Sequence, residues 1–226
     1  MADIAAGPLK DPTNLTSWTK LSLLAQIVIS VIAIVSGALE FQMLQDVQAG
    51  IFDSDENFED VAIANDTRQG IVGIVQALTF ITSGVLILMW IHRANFNAHR
   101  LGADGMGFSP GWAVGWYFIP FANLWKPYQA MKEIWQASAS PEHWESEDRS
   151  WLLPLWWTLW IVSNLLSNAA FRLALRDDPS LDQLITANGV TLVSDLMEIP
   201  LAVVLLVLIH RIHRMQMEQA QLQSFL

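Results

Sequence analysis

The chain has 226 residues, 53% of them hydrophobic, with 12 basic against 22 acidic side chains and a formal charge of -10. That balance is too apolar for a soluble domain of this length and too acidic for a nucleic-acid-binding one. Cysteine is absent, which excludes disulfides and thiolate metal sites and leaves the compartment unreadable from redox usage.

Residues 1–17, MADIAAGPLKDPTNLTS, hold Pro8 and Pro12 and lack the basic start, apolar run and small-residue cleavage site of a signal peptide. They are expected to form a cytoplasmic tail, with the first apolar segment retained. That segment, Leu21 to Leu39, has 19 uncharged residues, and Gly70 to Ile91 has 22. A helix needs roughly 20 apolar residues to cross the hydrocarbon, so spans are predicted over about 19–41 and 70–92. Between them Asp46, Asp53, Asp55, Glu56, Glu59, Asp60 and Asp66 stand against one basic residue, Arg68. The spacing does not match a twelve-residue calcium loop, and the run reads as a solvated face. Asn65-Asp66-Thr67 fits a glycosylation sequon, a short match that carries no weight by itself. Gly102 to Gly107 follows no strand and is expected to be a turn.

The next stretch, FSPGWAVGWYFIPFANLWKPYQAMKEIW over 108–135, is too aromatic for a loop and too short and broken for a span. Its charge-free run, 111–122, has 12 residues and carries Gly111, Gly115 and Pro120. Runs of about 10 to 14 apolar residues more often lie re-entrant or interfacial. From Leu124 onward, Leu124, Tyr128, Met131 and Trp135 share one helical face, with Lys126, Gln129, Lys132 and Gln136 opposite. A re-entrant or interfacial element over 108–139 is predicted: a short dip, a break at Pro120 to Asn123, and an interfacial helix tolerating Pro127 in its first turn. A polar connector over 143–150 leads to Trp151–Phe171, 21 uncharged residues, and a predicted span over 151–173. The last span, about 189–210, contains Asp195, Glu198 and Pro200. Residues 216–226 are expected to be a cytoplasmic tail, leaving one membrane domain over 18–215.

If four segments cross and the aromatic stretch does not, Lys10, Lys20, Arg93, Arg100, Lys126, Lys132, Arg149, Arg211 and Arg214 lie on one side. Arg68, Arg172 and Arg176 lie on the other, a split of nine against three. A crossing aromatic stretch would give six against five and leave Lys126 in the membrane. The positive-inside bias favours the first arrangement, with both termini cytoplasmic. The fold class expected is an all-α polytopic bundle of four transmembrane helices plus the re-entrant or interfacial element. VLILMWIHR at 85–93 and VVLLVLIHR at 203–211 match at five of nine positions, a hint of hairpin duplication.

The runs Trp90-Ile91-His92-Arg93-Ala94-Asn95-Phe96-Asn97-Ala98 and Ser109 to Met131, above all Pro120-Phe121-Ala122-Asn123-Leu124-Trp125-Lys126-Pro127-Tyr128, are similar to the signature of a bacterial membrane family known as domain of unknown function 4328. The Trp156-Trp157 to Asn164 opening of the next span is also similar. The resemblance covers about residues 70–215 and implies a small polytopic protein of the bacterial inner membrane. It implies no chemistry, because the family has no assigned activity or binding residues to carry over.

Ionisable groups inside a span usually pair or mark a pathway. Asp195 and Glu198 are three residues apart on one face, ~9 and ~13 Å from the nearer span end at 1.5 Å per residue. Asn164, Asn168 and Arg172 recur at intervals of four on the preceding span. A buried pair between Arg172 and one carboxylate, with the asparagines bonding across, would be structural glue, and the remaining carboxylate could serve a proton or ion path beside Pro200. His92, His99, His210 and His213 sit at span ends beside arginines, where imidazoles face headgroups rather than haem or metal. His210-x-x-His213 lacks the glutamate of a zinc hydrolase motif, and no nucleophile elbow or phosphate loop is present. Neither a cofactor nor a catalytic site is implied.

Nine of the 11 tryptophans fall between Trp112 and Trp160, as in interfacial belts. Trp112, Trp116, Pro120, Asn123, Trp125, Lys126 and Tyr128 form a candidate partner or lipid surface. The first expectation is therefore a non-enzymatic accessory or scaffold subunit that binds another membrane protein or complex. The alternatives are a small transporter or channel using Asp195, Glu198 and Arg172, and a lipid or quinone binder around Trp112–Trp125.

Overall fold

The computed structural model describes residues 9–52 and 58–225. The first eight residues of the expected tail, and Asp53, Asp55 and Glu56 of the acidic run, lie outside the described residues. Among the described residues the fold is all-helical, without strands: α1 (Thr13–Gln48), α2 (Phe58–Arg100), α3 (Pro110–Gly115), α4 (Lys126–Ala139), α5 (Leu152–Ala174) and α6 (Leu181–Gln223). Single 3₁₀ turns lie at Trp116–Phe118, Ala122–Leu124 and Trp144–Ser146.

Local chemistry sets the helix ends. Asp11 Oδ1 accepts the Thr13 N–H at 2.9 Å beside Pro12, an acidic N-cap followed by proline. Gly50 ends α1 at φ 74°, with Gly50 N–H on Val47 O and Ile51 N–H on Asp46 O, both at 3.1 Å. Gly102 ends α2 the same way, at φ 94°. In both, glycine takes the left-handed backbone that other residues resist. Ser180 and Gln183 open α6 with a reciprocal capping box: Ser180 N–H donates to Gln183 Oε1 at 3.1 Å and Gln183 N–H to Ser180 Oγ at 3.4 Å.

Three helices, α1, α2 and α6, are long and apolar enough to cross a membrane, not the four expected. The predicted span over 151–173 does form a helix, α5, of 23 residues. Length is sufficient, but Trp156, Trp157, Trp160, Asn164, Asn168 and Arg172 lower its apolarity. The glycine stretch 102–107 is a turn as expected, and the break before α4 falls where Pro120 to Asn123 predicted it, with Pro127 in the first turn of α4. Residues 216–223, expected to be tail, continue α6.

The chain divides into two compact units. The first comprises Met1–Leu23, Thr82–Thr158 and Val203–Leu226. Its core holds Trp90, Ile91, Met131, Ile134, Leu153, Leu208, Ile209 and Ile212, all buried. Asn97 ties down the entry to α1, accepting the Lys10 N–H at 3.1 Å and donating to Lys10 O at 3.0 Å. The end of α6 is held by glutamines: Gln216 donates to Ala94 O at 2.8 Å and Ser138 Oγ at 3.0 Å, Gln219 to Ala139 O, and Gln223 to Leu101 O. The two similar nonapeptides share a burial register. Trp90 and Leu208, then Ile91 and Ile209, are buried, while His92 and His210 are exposed.

The second unit comprises Leu24–Ile81 and Leu159–Ala202. Its polarity runs inside out. Val28 and Ile74 are 59% and 64% exposed, whereas Ser30, Ser36, Asn65, Ser163, Asn188, Ser194 and Asp195 are buried. An apolar exterior over a polar interior suits hydrocarbon surroundings, not water.

Candidate functional site

The interior of the second unit is a chain of side-chain hydrogen bonds around carboxylates. Glu198 accepts from Ser30 Oγ at 3.1 Å and from the side chain of Gln26. One turn earlier on α6, Asp195 accepts from Gln76 Nε2 at 2.9 Å. Among the described residues neither carboxylate pairs with a cationic side chain. Pro200, two positions after Glu198, leaves the Leu196 carbonyl without its helical donor.

A third carboxylate, Glu40 near the end of α1, receives Gln69 Nε2 and Asn188 Nδ2 on Oε2, each at 2.7 Å. Asn65 Nδ2 approaches its Oε1 at 3.4 Å. Arg68 joins the same network through neutral groups, donating to Ser36 Oγ at 3.0 Å and Asn65 Oδ1 at 2.6 Å. The backbone of α1 comes close to α6 at Gly37, where a Cβ would stand 2.8 Å from Leu192 Cδ2 and where Asn188 Nδ2 also reaches Gly37 O at 3.2 Å. These helices line an open-sided chamber of about 350 Å³. Its polar lining includes Glu40, Asn65, Asp66, Gln69, Gln76, Asn188, Thr191 and Asp195; its apolar lining includes Ala33, Leu44, Val72 and Leu192.

The expected polar cluster is therefore split. Asp195 and Glu198 face the interior, but Asn164, Asn168 and Arg172 are exposed. Asn164 Nδ2 bonds back to Trp160 O at 2.7 Å, and Arg172 meets neither carboxylate. α5 meets α6 at Ser167, whose Oγ lies 3.0 Å from Ser194 Oγ, and Ser163, one turn earlier, is buried. One residue is about 100° around a helix, so this packing points the asparagine stripe outward. Sequence reasoning missed Glu40, which follows the charge-free run of the first span, and Asn188, which immediately precedes the last predicted span. Asn65 of the sequon is buried in the network.

The aromatic stretch belongs to the first unit. Of the residues expected there, Trp112, Pro120 and Trp125 are exposed, whereas Trp116, Asn123, Lys126 and Tyr128 are half-buried. Trp112 and Trp116 rings lie 4.9 Å apart, and Lys126 Nζ lies 5.5 Å from the Phe108 ring and 5.6 Å from that of Trp116. Trp157 Nε1 donates to Leu124 O at 2.9 Å, and Tyr128 lies 6.4 Å from the Trp157 ring. Phe118 and Phe121, not singled out from sequence, are 72% and 78% exposed, and Phe121 holds a strained φ of 65°. α4 buries Pro127, Ala130, Met131, Ile134, Gln136, Ala137 and Ser138, and of the expected surface-lying face only Met131 is among them, with Leu124 exposed and Tyr128 and Trp135 half-buried.

Glu133 on α4 accepts the Phe108 N–H at 3.2 Å and anchors the glycine turn, where a Cβ on Gly107 would meet its Oε1 at 2.9 Å. Burial pushes its carboxyl above the usual range, opposed by the Phe108 and Gly107 N–H groups and by Lys132 and Lys126. The histidines make local contacts: His99 Nε2 with Phe108 O at 3.2 Å, His210 Nδ1 with Lys20 Nζ at 3.1 Å, and His213 Nδ1 with Thr16 Oγ1 at 3.4 Å. Burial, then Lys20 and His210, lower the His213 pKa, with Asp11 opposing. Among the described residues no group of three His, Cys, Asp or Glu is arranged to hold a metal.

Residues 54–214 match the family model described as Domain of unknown function (DUF4328). The chain belongs to this family. The match begins upstream of the resemblance seen in sequence, so both carboxylate-bearing turns of α6, the aromatic stretch and all of α5 are features of the DUF4328 region; Glu40 is not. No curated protein and no solved structure matches the chain.

Proposed function

We propose that this DUF4328 protein is a non-enzymatic, multi-pass protein of the bacterial inner membrane that moves or binds cations through the chamber of its second unit. Four helices cross, α5 among them despite its tryptophans and asparagines, and both termini are cytoplasmic. The 108–139 segment lies at the cytoplasmic interface. The observation that carries this reading is that Asp195 and Glu198 are held inside apolar helices by neutral donors alone, Gln76 and Ser30. A carboxylate in that setting is costly unless it exchanges protons or meets a cation, and such residues mark ion and proton paths. The sequence pattern of Asn164, Asn168 and Arg172 suggested that Arg172 would neutralise one of them; its outward position removes that explanation.

The test is proton flux in proteoliposomes carrying a pH-sensitive dye inside. Wild-type protein should dissipate an imposed pH gradient faster than empty liposomes, and Glu198→Gln and Asp195→Asn should abolish the difference. Flux indistinguishable from empty liposomes, or unchanged by both substitutions, rejects the reading.

A second reading, an accessory or scaffold subunit, is favoured by the outward stripe of Asn164 and Asn168 on α5. Polar side chains on a lipid-facing helix surface are satisfied by a neighbouring helix. Gentle solubilisation from native membrane followed by sizing separates the two: a defined hetero-complex dissociated by Asn164→Leu/Asn168→Leu supports the scaffold, and a lone species does not.

A further inference from the structure

We infer that the chamber of the second unit is a binding site for an organic cation bearing a primary ammonium group, an inference that rests on the reading of this unit as a cation path. The decisive group is Asn188, which is 7% exposed and lines the chamber. Its Nδ2 donates to Glu40 Oε2 at 2.7 Å and Gly37 O at 3.2 Å. This fixes the amide orientation, because the flipped amide would set two acceptors against each other at 2.7 Å. Among the described residues Oδ1 is then left buried with no partner. A buried acceptor beside a carboxylate is complemented by an N–H donor that carries positive charge.

The nature of the cation follows from the spread of the acceptors. Among the described residues Glu40, Asp66 and Asp195 line the chamber without converging into a metal shell, and no lysine or arginine lines it. Dispersed single acceptors suit separate N–H bonds, which a quaternary ammonium cannot supply. Asn188 and Asp195 are seven residues apart on α6, hence on one face and ~10.5 Å apart along the axis at 1.5 Å per residue. A short methylene chain with an ammonium at each end reaches both poles, with Leu44, Val72 and Leu192 against its hydrocarbon. The volume of about 350 Å³ lies within the range of small-ligand sites.

Isothermal titration of 1,5-diaminopentane into the full-length chain in mild detergent tests the inference. Wild type should bind saturably. Glu40→Gln and Asp195→Asn should each weaken binding by about tenfold or more, the consequence of removing a charge-assisted bond. Both are isosteric and retain an oxygen for the donors of Gln69, Asn188 and Gln76, so a folding defect is not expected; thermal melting of each variant checks this. Asp60→Asn, at an exposed site away from the chamber, should bind as wild type, and tetramethylammonium should give no saturable heat. Absence of saturable binding by wild type, equal affinity in both chamber variants, or equal binding of tetramethylammonium overturns the inference. Failed binding alongside Glu198-dependent proton flux removes this inference alone, whereas diamine binding without flux keeps it and removes the transport reading.

Discussion

Asn188 and Glu40 are joined by a 2.7 Å hydrogen bond that uses the amide nitrogen and leaves the amide oxygen buried and, among the described residues, unpaired. The bond links α1 to α6 at the point where Gly37 lets the backbones approach. Asn188→Ala should destabilise the protein by ~1–3 kcal/mol, because Glu40 loses a donor in a polar interior. Glu40→Gln, which keeps an acceptor for both Asn188 and Gln69, should cost less than about 1 kcal/mol. Thermal unfolding in detergent, followed by tryptophan fluorescence, ranks the two; the reverse order would mean that Glu40 needs its charge for folding.

Gln76 and Asp195 form the corresponding contact between α2 and α6. Gln76→Leu strands a carboxylate without its donor and should cost ~1–3 kcal/mol. Adding Asp195→Leu removes the stranded group, so the double variant should recover most of that loss. A double variant less stable than Gln76→Leu alone would show that Asp195 has a second stabilising partner.

Asn95 in the first unit is wholly buried, and among the described residues neither its Nδ2 nor its Oδ1 has a partner. Two unmatched polar atoms carry a desolvation cost with no return. Asn95→Leu, of similar volume, should raise stability by about 1–3 kcal/mol, read as an increased melting temperature in the same assay. A fall would assign Asn95 a bonding partner such as a buried water.

Glu133 gives a pH signature. Its folded pKa lies above the ordinary value because burial disfavours the carboxylate. The folded state therefore binds more protons than the unfolded state between the two pKa values. The contribution is fully present below the ordinary glutamate value of 4.5 and is lost as pH rises through the folded pKa. His213 runs the other way: with a lowered folded pKa, its contribution is present above 6.5 and lost as pH falls through the folded value. Melting curves of wild type, Glu133→Gln and His213→Gln across both windows should show each variant lacking one slope. Parallel curves would contradict both assignments.

The helices were legible because charge-free runs of span length leave little other choice, and the break before α4 was legible from Pro120 and Pro127. The packing face of α5 was not. Asn164 and Asn168 are stronger polar signals than Ser163 and Ser167, yet the smaller serines permit the closer contact with α6, and the choice between adjacent faces turns on one residue. The helical continuation of α6 through Gln223 was not legible, because Gln216, Gln219 and Gln223 look like solvated residues, although their amides satisfy backbone carbonyls of the first unit. Glu40 and Asn188 escaped notice for a related reason: polar residues at span boundaries ordinarily face water, and only the fold turns these two toward each other.

The chain lacks cysteine, so a single Thr191→Cys places one thiol in the chamber without background. The Thr191 hydroxyl bonds back to Ala187 O at 3.0 Å, so its replacement leaves the Glu40–Asn188 and Gln76–Asp195 contacts in place. Cationic and anionic thiosulfonate reagents of similar size, both membrane-impermeant, are applied to whole spheroplasts and the extent of modification is followed with time. A water-accessible, acid-lined cation chamber predicts modification from the outer side, faster for the cationic reagent by about tenfold or more, as expected where a site carries one sign of charge. Modification only after the membrane is dissolved, or equal rates for the two reagents, would contradict it.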